Sequence, residues 1–268
     1  MQAALPMYYP PREALQAFWA ALAELLRQDG PSELADIPGE LSLPPDCHVQ
    51  WLEPDLLLSQ ACGYPLVTQL AGKVQLVGTF AYDAPGVQGT ACRSQLICRA
   101  QDPRNALADF AGSTLAYNDS ISQSGYNALR ALVAQRGPAP SPFFSASTMT
   151  GAHYRSIEAV RQGEADMAAV DAVSWALWQR SQPTRAPALR AFGQTEAYPG
   201  LPLITSLQTP PSVLAALRRG LHAVASDAAY AAVRAPLLIS GFVPTQLADY
   251  RRCLDMQQEA FSLGLRDL

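Results

Sequence analysis

No run of apolar residues in this sequence is long enough to cross a bilayer, which takes about 20 residues in a helix. Basic residues are scattered rather than clustered: 19 Lys and Arg stand against 23 Asp and Glu, for a net charge of −4. A nucleic-acid surface needs basic charge gathered on one face, so that class of partner is excluded. The five cysteines (Cys47, Cys62, Cys92, Cys98 and Cys253) are odd in number, irregularly spaced and free of any Cys-x-x-Cys. This excludes a disulfide framework and a structural zinc site, and leaves buried thiols. There is no metal-ligand cluster and no nucleotide motif, so no cofactor is expected. There is also no internal repeat and no low-complexity segment. The opening "MQAALPMYYPPREALQAFW" lacks a basic stretch and a sustained apolar stretch before a cleavage site. The expectation is a cytoplasmic chain, or one whose leader lies outside this sequence.

What is present is a core-forming chain. Of 268 residues, 49% are apolar, enough to exclude disorder and to fill one large domain or two smaller lobes. Leu15, Phe18, Trp19, Leu22, Leu25 and Leu26 have helical spacing, with Pro11 at the first turn and Gly30 past the end. Residues 31–46, rich in Pro, Gly and acids, read as loop. "AALPMYY" and "CHVQWL" read as short strands. "PDLLLSQACGYPLVTQLAG" reads as a helical region broken by Gly63 and Pro65, and "KVQLVGTFA" as a strand. After the turn-like "YDAPGVQG" comes the strand "SQLICRA".

From there the chain alternates. "STLAYN", "PFFSASTMT" and "ADMAAVD" read as strands, each followed by a helix: "QSGYNALRALVAQ", "HYRSIEAVRQG" and "AVSWALWQR". "ALRAFGQT" and "PLITSL" are further strands, "PSVLAALRRGLHAVAS" is a long helix, and a helical tail follows. Strands separated by helices predict an α/β fold with mainly parallel sheet.

Ligands of open α/β sheets bind beyond the carboxyl ends of strands. Three successive strands here end in polar residues. The first ends in Asn118 and Asp119, with Ser122, Gln123, Ser124 and Gly125 at the following helix start. The second ends in Thr148, Thr150, Gly151, Ala152 and His153, and the third in Asp171. Helix starts carry unpaired N–H groups and a partial positive charge. Serine hydroxyls and a histidine add neutral donors, and a glycine lets the backbone come close. Taken singly, each has a plainer reading: serine or aspartate as an N-cap, histidine as a structural residue. Three such ends in sequence point to a pocket for a small oxyanion.

The segments "YDAPGVQGTACRSQLICR", "DSISQSGYNALR" and "TGAHYRSIEAVRQGEADMAAVDAVSWAL" resemble the phosphate, phosphite and phosphonate substrate-binding proteins of ABC importers. The likeness runs from "LPMYYPP" through "LLLSQACGYPL" to "LPLITS". It implies the two-lobed, type 2 periplasmic-binding-protein fold, with the ligand held between lobes. One lobe is expected at residues 1–84 with 186–268 and the other at 85–185, with crossings near 82–89 and 182–189. The family's oxyanion contacts fall on Ser122, Gln123 and Ser124, its motif histidine on His153, and its tyrosines on Tyr8 and Tyr82. Asp171 stands where relatives meet a ligand's amino or hydroxyl group. There are departures. Gln123 replaces a threonine of several phosphonate binders, Ala152 replaces a serine, and Cys92 sits where an aromatic is common. They leave room for a carboxylate, a sulfonate or a neutral metabolite.

The resemblance implies a non-enzymatic binder of a small anion, partnered by a transporter permease, without insertion in the membrane, and periplasmic as its family is. Two alternatives stay open: a cytoplasmic enzyme on the same fold and a ligand sensor. Ser122 or Ser124 with His153 and Asp171 superficially forms a nucleophile–base–acid set, but there is no G-x-S-x-G elbow. Cys62 lacks a basic neighbour in sequence to activate it. Ser59, Gln60 and Gly63 are either further cleft residues or parts of a core helix.

Overall fold

The structure is a computed structural model that describes residues 1–136 and 142–268. The chain folds into two compact units. The first comprises 1–83, 88–90 and 200–249, and the second comprises 84–87, 91–199 and 250–268.

The first unit is built on a five-stranded sheet in the order Gln2–Ala4, Leu56–Gln60, Pro202–Ser206, Val74–Tyr82 and Ile239–Val243. Only the first pair is parallel; the other three are antiparallel. Helix Arg12–Asp29 buries Phe18, Trp19, Leu22, Ala23 and Leu26, the stripe its periodicity predicts. Leu22 and Leu26 pack at Gly220 of helix Pro211–Ser226. Phe80 joins this layer to the sheet, edge to face with Phe18 at 5.6 Å and with Phe242 at 5.9 Å.

Four elements here differ from the sequence expectation. "CHVQWL" begins a helical turn, Cys47–Gln50, because the Asp46 carboxylate caps it by accepting the His48 and Val49 amides. Leu56–Gln60 is a strand buried at every position, and such a strand shows no alternation to read. Gly63 and Pro65 open the helical stretch that runs to Leu70 instead of breaking it. The expected helical tail also contains the strand Ile239–Val243.

The second unit carries a sheet in the order Leu189–Gln194, Ser94–Arg99, Met167–Asp171, Thr114–Tyr117 and Ala146–Met149. Its last three strands are parallel, with Tyr117 opposite Met149 and Ala116 opposite Ala168. Their carboxyl ends therefore share one edge. The other two pairs are antiparallel, so the sheets are mixed and not mainly parallel. Strand–helix–strand alternation dictates parallel pairing only for neighbours in sequence, whereas Leu189–Gln194, Pro202–Ser206 and Ile239–Val243 join from farther along the chain. Side chains alternate across the second sheet as the pleat requires. Leu96, Cys98, Leu115, Met167 and Ala169 pack with Phe110, Leu129 and Val133. Ile97, Ala116, Ala168 and Val170 pack with Ile157, Val160, Trp175 and Trp178.

The expected boundaries shift accordingly. The strand Leu189–Gln194 pairs with Ser94–Arg99, which keeps residues up to 199 in the second unit. Helix Arg251–Ser262 also returns to that unit, where Met256 packs against Ala128 and Ala131.

At the opposite strand ends, Asp166 ties the sheet together. Its Oδ2 accepts the Thr114 amide and hydroxyl, each at 2.9 Å, and its Oδ1 meets Arg99 at 3.1 Å and Arg104 at 3.0 Å. Arg104 also binds Asp102 at 2.6 Å and lies over the Phe110 ring. Burial pushes the Asp166 pKa up, but the Thr114 bonds and the guanidinium partners outweigh it and bring it down to about 2.

Candidate functional site

The residues at the aligned carboxyl ends of the second unit are placed by backbone bonds between neighbouring strand ends. The Thr150 N–H donates to the Tyr117 carbonyl at 2.8 Å and the Gly151 N–H to the Asn118 carbonyl at 2.9 Å. Gly151, at φ +84°, turns the chain into helix His153–Gln162. Thr150 Oγ1 shares a 2.7 Å hydrogen bond with Ser156 Oγ in that helix. The first residue of the second helix is thereby fixed beside the start of the first.

That first helix begins with a wide π-helical turn, Gln123–Asn127, and continues as Ala128–Ala134. Ser122 is extended and its Oγ accepts the Gly125 amide at 3.0 Å, as an N-cap does. Ser122 Oγ lies 3.4 Å from Ser124 Oγ, and Ser124 Oγ lies 2.7 Å from His153 Nε2. Three expected contacts thus form one hydrogen-bonded row. Ser124 is held from below as well. Its carbonyl accepts the Ser94 hydroxyl at 2.8 Å, and Ser94 Oγ shares a 2.7 Å bond with Tyr198 Oη. The sequence reading missed Ser94 and Tyr198, because nothing local marks a serine in one strand and a tyrosine a hundred residues away as partners.

His153 is neutral at physiological pH: enclosure of its ring lowers the pKa from 6.5 to about 4. Its Nδ1 is buried and has no hydrogen-bond partner among the described residues. A hydrolytic histidine needs an acceptor at that nitrogen to orient it, so this one lacks the third member of a triad. A base of pKa about 4 is also weak at neutral pH.

Asp171 does not supply the missing acceptor. Its Oδ1 accepts the Val173 and Ser174 amides at 2.8 and 3.1 Å, capping helix Ala172–Ser181. Its Oδ2 accepts the Cys92 thiol at 3.3 Å. Burial, and then the Asp171 carboxylate, push the Cys92 pKa well above its ordinary value, so the thiol stays protonated and donates. The cysteine in the family's aromatic position is therefore a partner for this carboxylate. The Gln123 carboxamide turns into the unit. Its Nε2 meets Met256 Sδ at 3.1 Å and its Oε1 accepts from Asn127 Nδ2 at 2.8 Å.

In the first unit, the Tyr8 and Tyr82 rings meet edge to face at 5.3 Å. Tyr82 Oη accepts from Gln60 Nε2 at 3.3 Å, while Ser59 donates to Gln50. Ser59 and Gln60 are strand residues and Gly63 opens a helix.

Gly125 permits a close approach. A methyl group there would stand 1.9 Å from Asn118 Oδ1 and 3.3 Å from His153 Cε1. Gly125→Ala is expected to push Asn118 and the helix start apart. Overpacking of this kind costs about 1–3 kcal/mol, and the expected oxyanion binding should weaken with it. Denaturant melts together with a ligand titration check both effects.

Among the described residues no group of three or more His, Cys, Asp or Glu is placed to hold a metal ion, and no helix is long and apolar enough to cross a membrane. A search of the curated proteins finds no match. Residues 53–250 match the model of a family described as ABC transporter, phosphonate, periplasmic substrate-binding protein. Among solved structures, a binding protein component of an ABC phosphonate transporter from Pseudomonas aeruginosa aligns with TM-score 0.73 and 17% identity, covering 98% of this chain and 90% of that one. A Prochlorococcus marinus protein in complex with methylphosphonate aligns with TM-score 0.75 and 13% identity, covering 96% of each. A Xanthomonas citri protein bound to ATP aligns with TM-score 0.66 and 17% identity, covering 98% and 97%. At such identities the likeness establishes the fold, that of periplasmic binding proteins, and leaves the ligand to the chemistry of the site.

Proposed function

Since the chain belongs to the family of ABC-transporter phosphonate periplasmic substrate-binding proteins, as the match over residues 53–250 shows, we propose that it captures a phosphorus oxyanion (phosphonate, phosphite or phosphate) for an importer of that type. The observation that carries this reading is the row Ser122–Ser124–His153, with its 2.7 Å serine–histidine bond, at a helix start where three strand ends align. Neutral hydroxyl donors and first-turn amides suit an anion that exchanges its hydration shell for fixed dipoles. The row also weighs against catalysis, because its histidine is a weak base with no acceptor behind it.

Ser122, Ser124 and His153 are the proposed contacts in the second unit. Gln123 and Asp171 are proposed as further residues of this site, beside the bonds that Gln123 makes with Met256 and Asn127 and that Asp171 makes at the start of helix Ala172–Ser181. Tyr8 and Tyr82 are proposed as further contacts, to be tested by Tyr→Phe exchange. The permease of an ABC importer is the proposed partner and the periplasm the proposed compartment.

A thermal-shift panel tests the reading. It should include phosphate, phosphite, methylphosphonate, sulfate, a sulfonate and dicarboxylates. A ligand at about 1,000 times its dissociation constant adds roughly 4 kcal/mol. At about 2–4 °C per kcal/mol this raises the melting point by roughly 8–16 °C. A shift confined to the phosphorus oxyanions is expected. A flat response to all of them, or a shift only with carboxylates or sulfonates, would overturn the proposal.

A further inference from the structure

The helix that carries Ser124 does not begin in the α register. The Ser122 carbonyl accepts the amide of Asn127, five residues on, at 2.9 Å, and the Gln123 carbonyl accepts the amide of Ala128. An α-helix would pair Ser122 with Tyr126 and Gln123 with Asn127. A turn of this kind takes up one residue more than the α register, and such turns are rare and mostly single.

One side chain spans the wide turn. Asn127 is fully buried. Its Nδ2 donates to Gln123 Oε1 and to the Cys253 carbonyl, each at 2.8 Å, and its Oδ1 accepts from Arg130 Nη2 at 2.7 Å. The orientation of the carboxamide is settled by its partners. A backbone carbonyl only accepts and a guanidinium only donates, so Nδ2 faces Cys253 and Oδ1 faces Arg130. One N–H ties the last residue of the turn to its first, Gln123. The other ties the turn to helix Arg251–Ser262, where Met256 also meets Gln123. Arg130 is anchored in its turn, because its Nη1 donates to the Arg266 carbonyl at 2.9 Å.

The register decides where Ser124 points. One residue is about 100° of rotation in an α-helix. A return to the α register would therefore swing Ser124 around the axis by about that angle, relative to helix Ala128–Ala134. In the wide register Ser124 Oγ lies 2.7 Å from His153 Nε2, and the Ser124 carbonyl accepts the Ser94 hydroxyl.

We propose that Asn127 is a positioning residue that holds the Gln123–Asn127 turn in its five-residue register and so aims Ser124 at His153. This rests on the oxyanion reading only for its consequence in binding; the register itself is independent of any ligand.

The test reads the register directly, as NMR couplings across backbone hydrogen bonds in the deuterated whole chain without ligand. In the wild-type protein the Ser122 carbonyl carbon is expected to couple to the Asn127 nitrogen. Coupling to the Tyr126 nitrogen instead would overturn the proposal, whatever becomes of any variant. Asn127→Asp keeps the size and the acceptor for Arg130 but has no donor for Cys253 or Gln123 when ionised; Asn127→Leu has neither. In both, the Ser122 coupling is expected to move to Tyr126, and methylphosphonate affinity to fall at least tenfold. A side chain that served stability alone would lower the melting temperature and leave the register as it was. An unchanged Ser122–Asn127 coupling in the folded Asn127→Asp protein would take the role away from Asn127, and so would a changed register with undiminished affinity. If the wild type binds no phosphorus oxyanion while the register moves as expected, the functional reading fails and the assignment of Asn127 stands.

Discussion

The Ser124→Ala, His153→Ala double variant is expected to lose methylphosphonate affinity from about 30-fold upward while remaining folded. Each hydrogen bond to a charged oxygen is worth about 1–3 kcal/mol, and the pair about 2–6 kcal/mol, where each 1.4 kcal/mol is tenfold. Both residues are changed together for a structural reason. Ser124 Oγ and His153 Nε2 bond to each other at 2.7 Å, so removing one alone strands the other. Removing both leaves Ser122 Oγ still engaged by the Gly125 amide and the Ser124 carbonyl still held by Ser94. The helix start therefore keeps its geometry and loses only its donors. Calorimetric titration measures the affinity, and far-ultraviolet circular dichroism the fold. Undiminished binding in the folded double variant would remove this row from the site.

The second large effect belongs to stability. Asp166→Asn is expected to destabilise the second unit by about 2 kcal/mol, after discounting for a side chain that is partly in solvent. That corresponds to a fall in melting temperature of roughly 4–8 °C. The carboxylate accepts two bonds from Thr114 and meets two guanidiniums, and a carboxamide cannot satisfy all four. The pH dependence follows from the sign of the shift. The folded pKa, about 2, lies below the ordinary 3.8. The stabilisation is therefore complete above the ordinary value and is lost as pH falls from there through about 2. Melting curves of wild type and variant should be fully separated above about pH 5, draw together as pH falls below 4, and meet only below about pH 2. A constant gap across that range would refute the role given to the charge. Methylphosphonate affinity at pH 7 should be unchanged in the variant, because Asp166 lies at the opposite strand ends from Ser124.

The parts of this arrangement that are local in the chain were legible in the sequence. Helix Arg12–Asp29 declares itself by apolar spacing, and its buried residues are the ones the spacing names. The three strand–helix junctions show as strand-like runs ending in Asn118, Thr150 and Asp171, each followed by a helical pattern, because a parallel sheet needs a helix between successive strands. Elsewhere tertiary burial overrode the pattern. Leu56–Gln60 is enclosed on both faces and so shows no alternation, and the turn at Cys47 depends on a single aspartate cap.

The candidate site divides in the same way. Ser122, Ser124 and His153 can be named from their places at helix starts. That Gln123 turns inward depends on Met256, more than a hundred residues away. The roles of Ser94 and Tyr198 depend on register and close approach, which no spacing encodes. Gly125 is the one local hint, as a poor helix former in a first turn with a buried reason to be there.

This row of neutral donors is proposed to hold a phosphorus oxyanion. Calorimetric titration of methylphosphonate, phosphite and phosphate into the purified protein, with sulfate alongside, tests it most directly. Saturable binding of one ligand per chain, by at least one phosphorus oxyanion and lost in the Ser124→Ala, His153→Ala variant, is the predicted result. No binding of any of the three, or binding that the double variant retains in full, would contradict it.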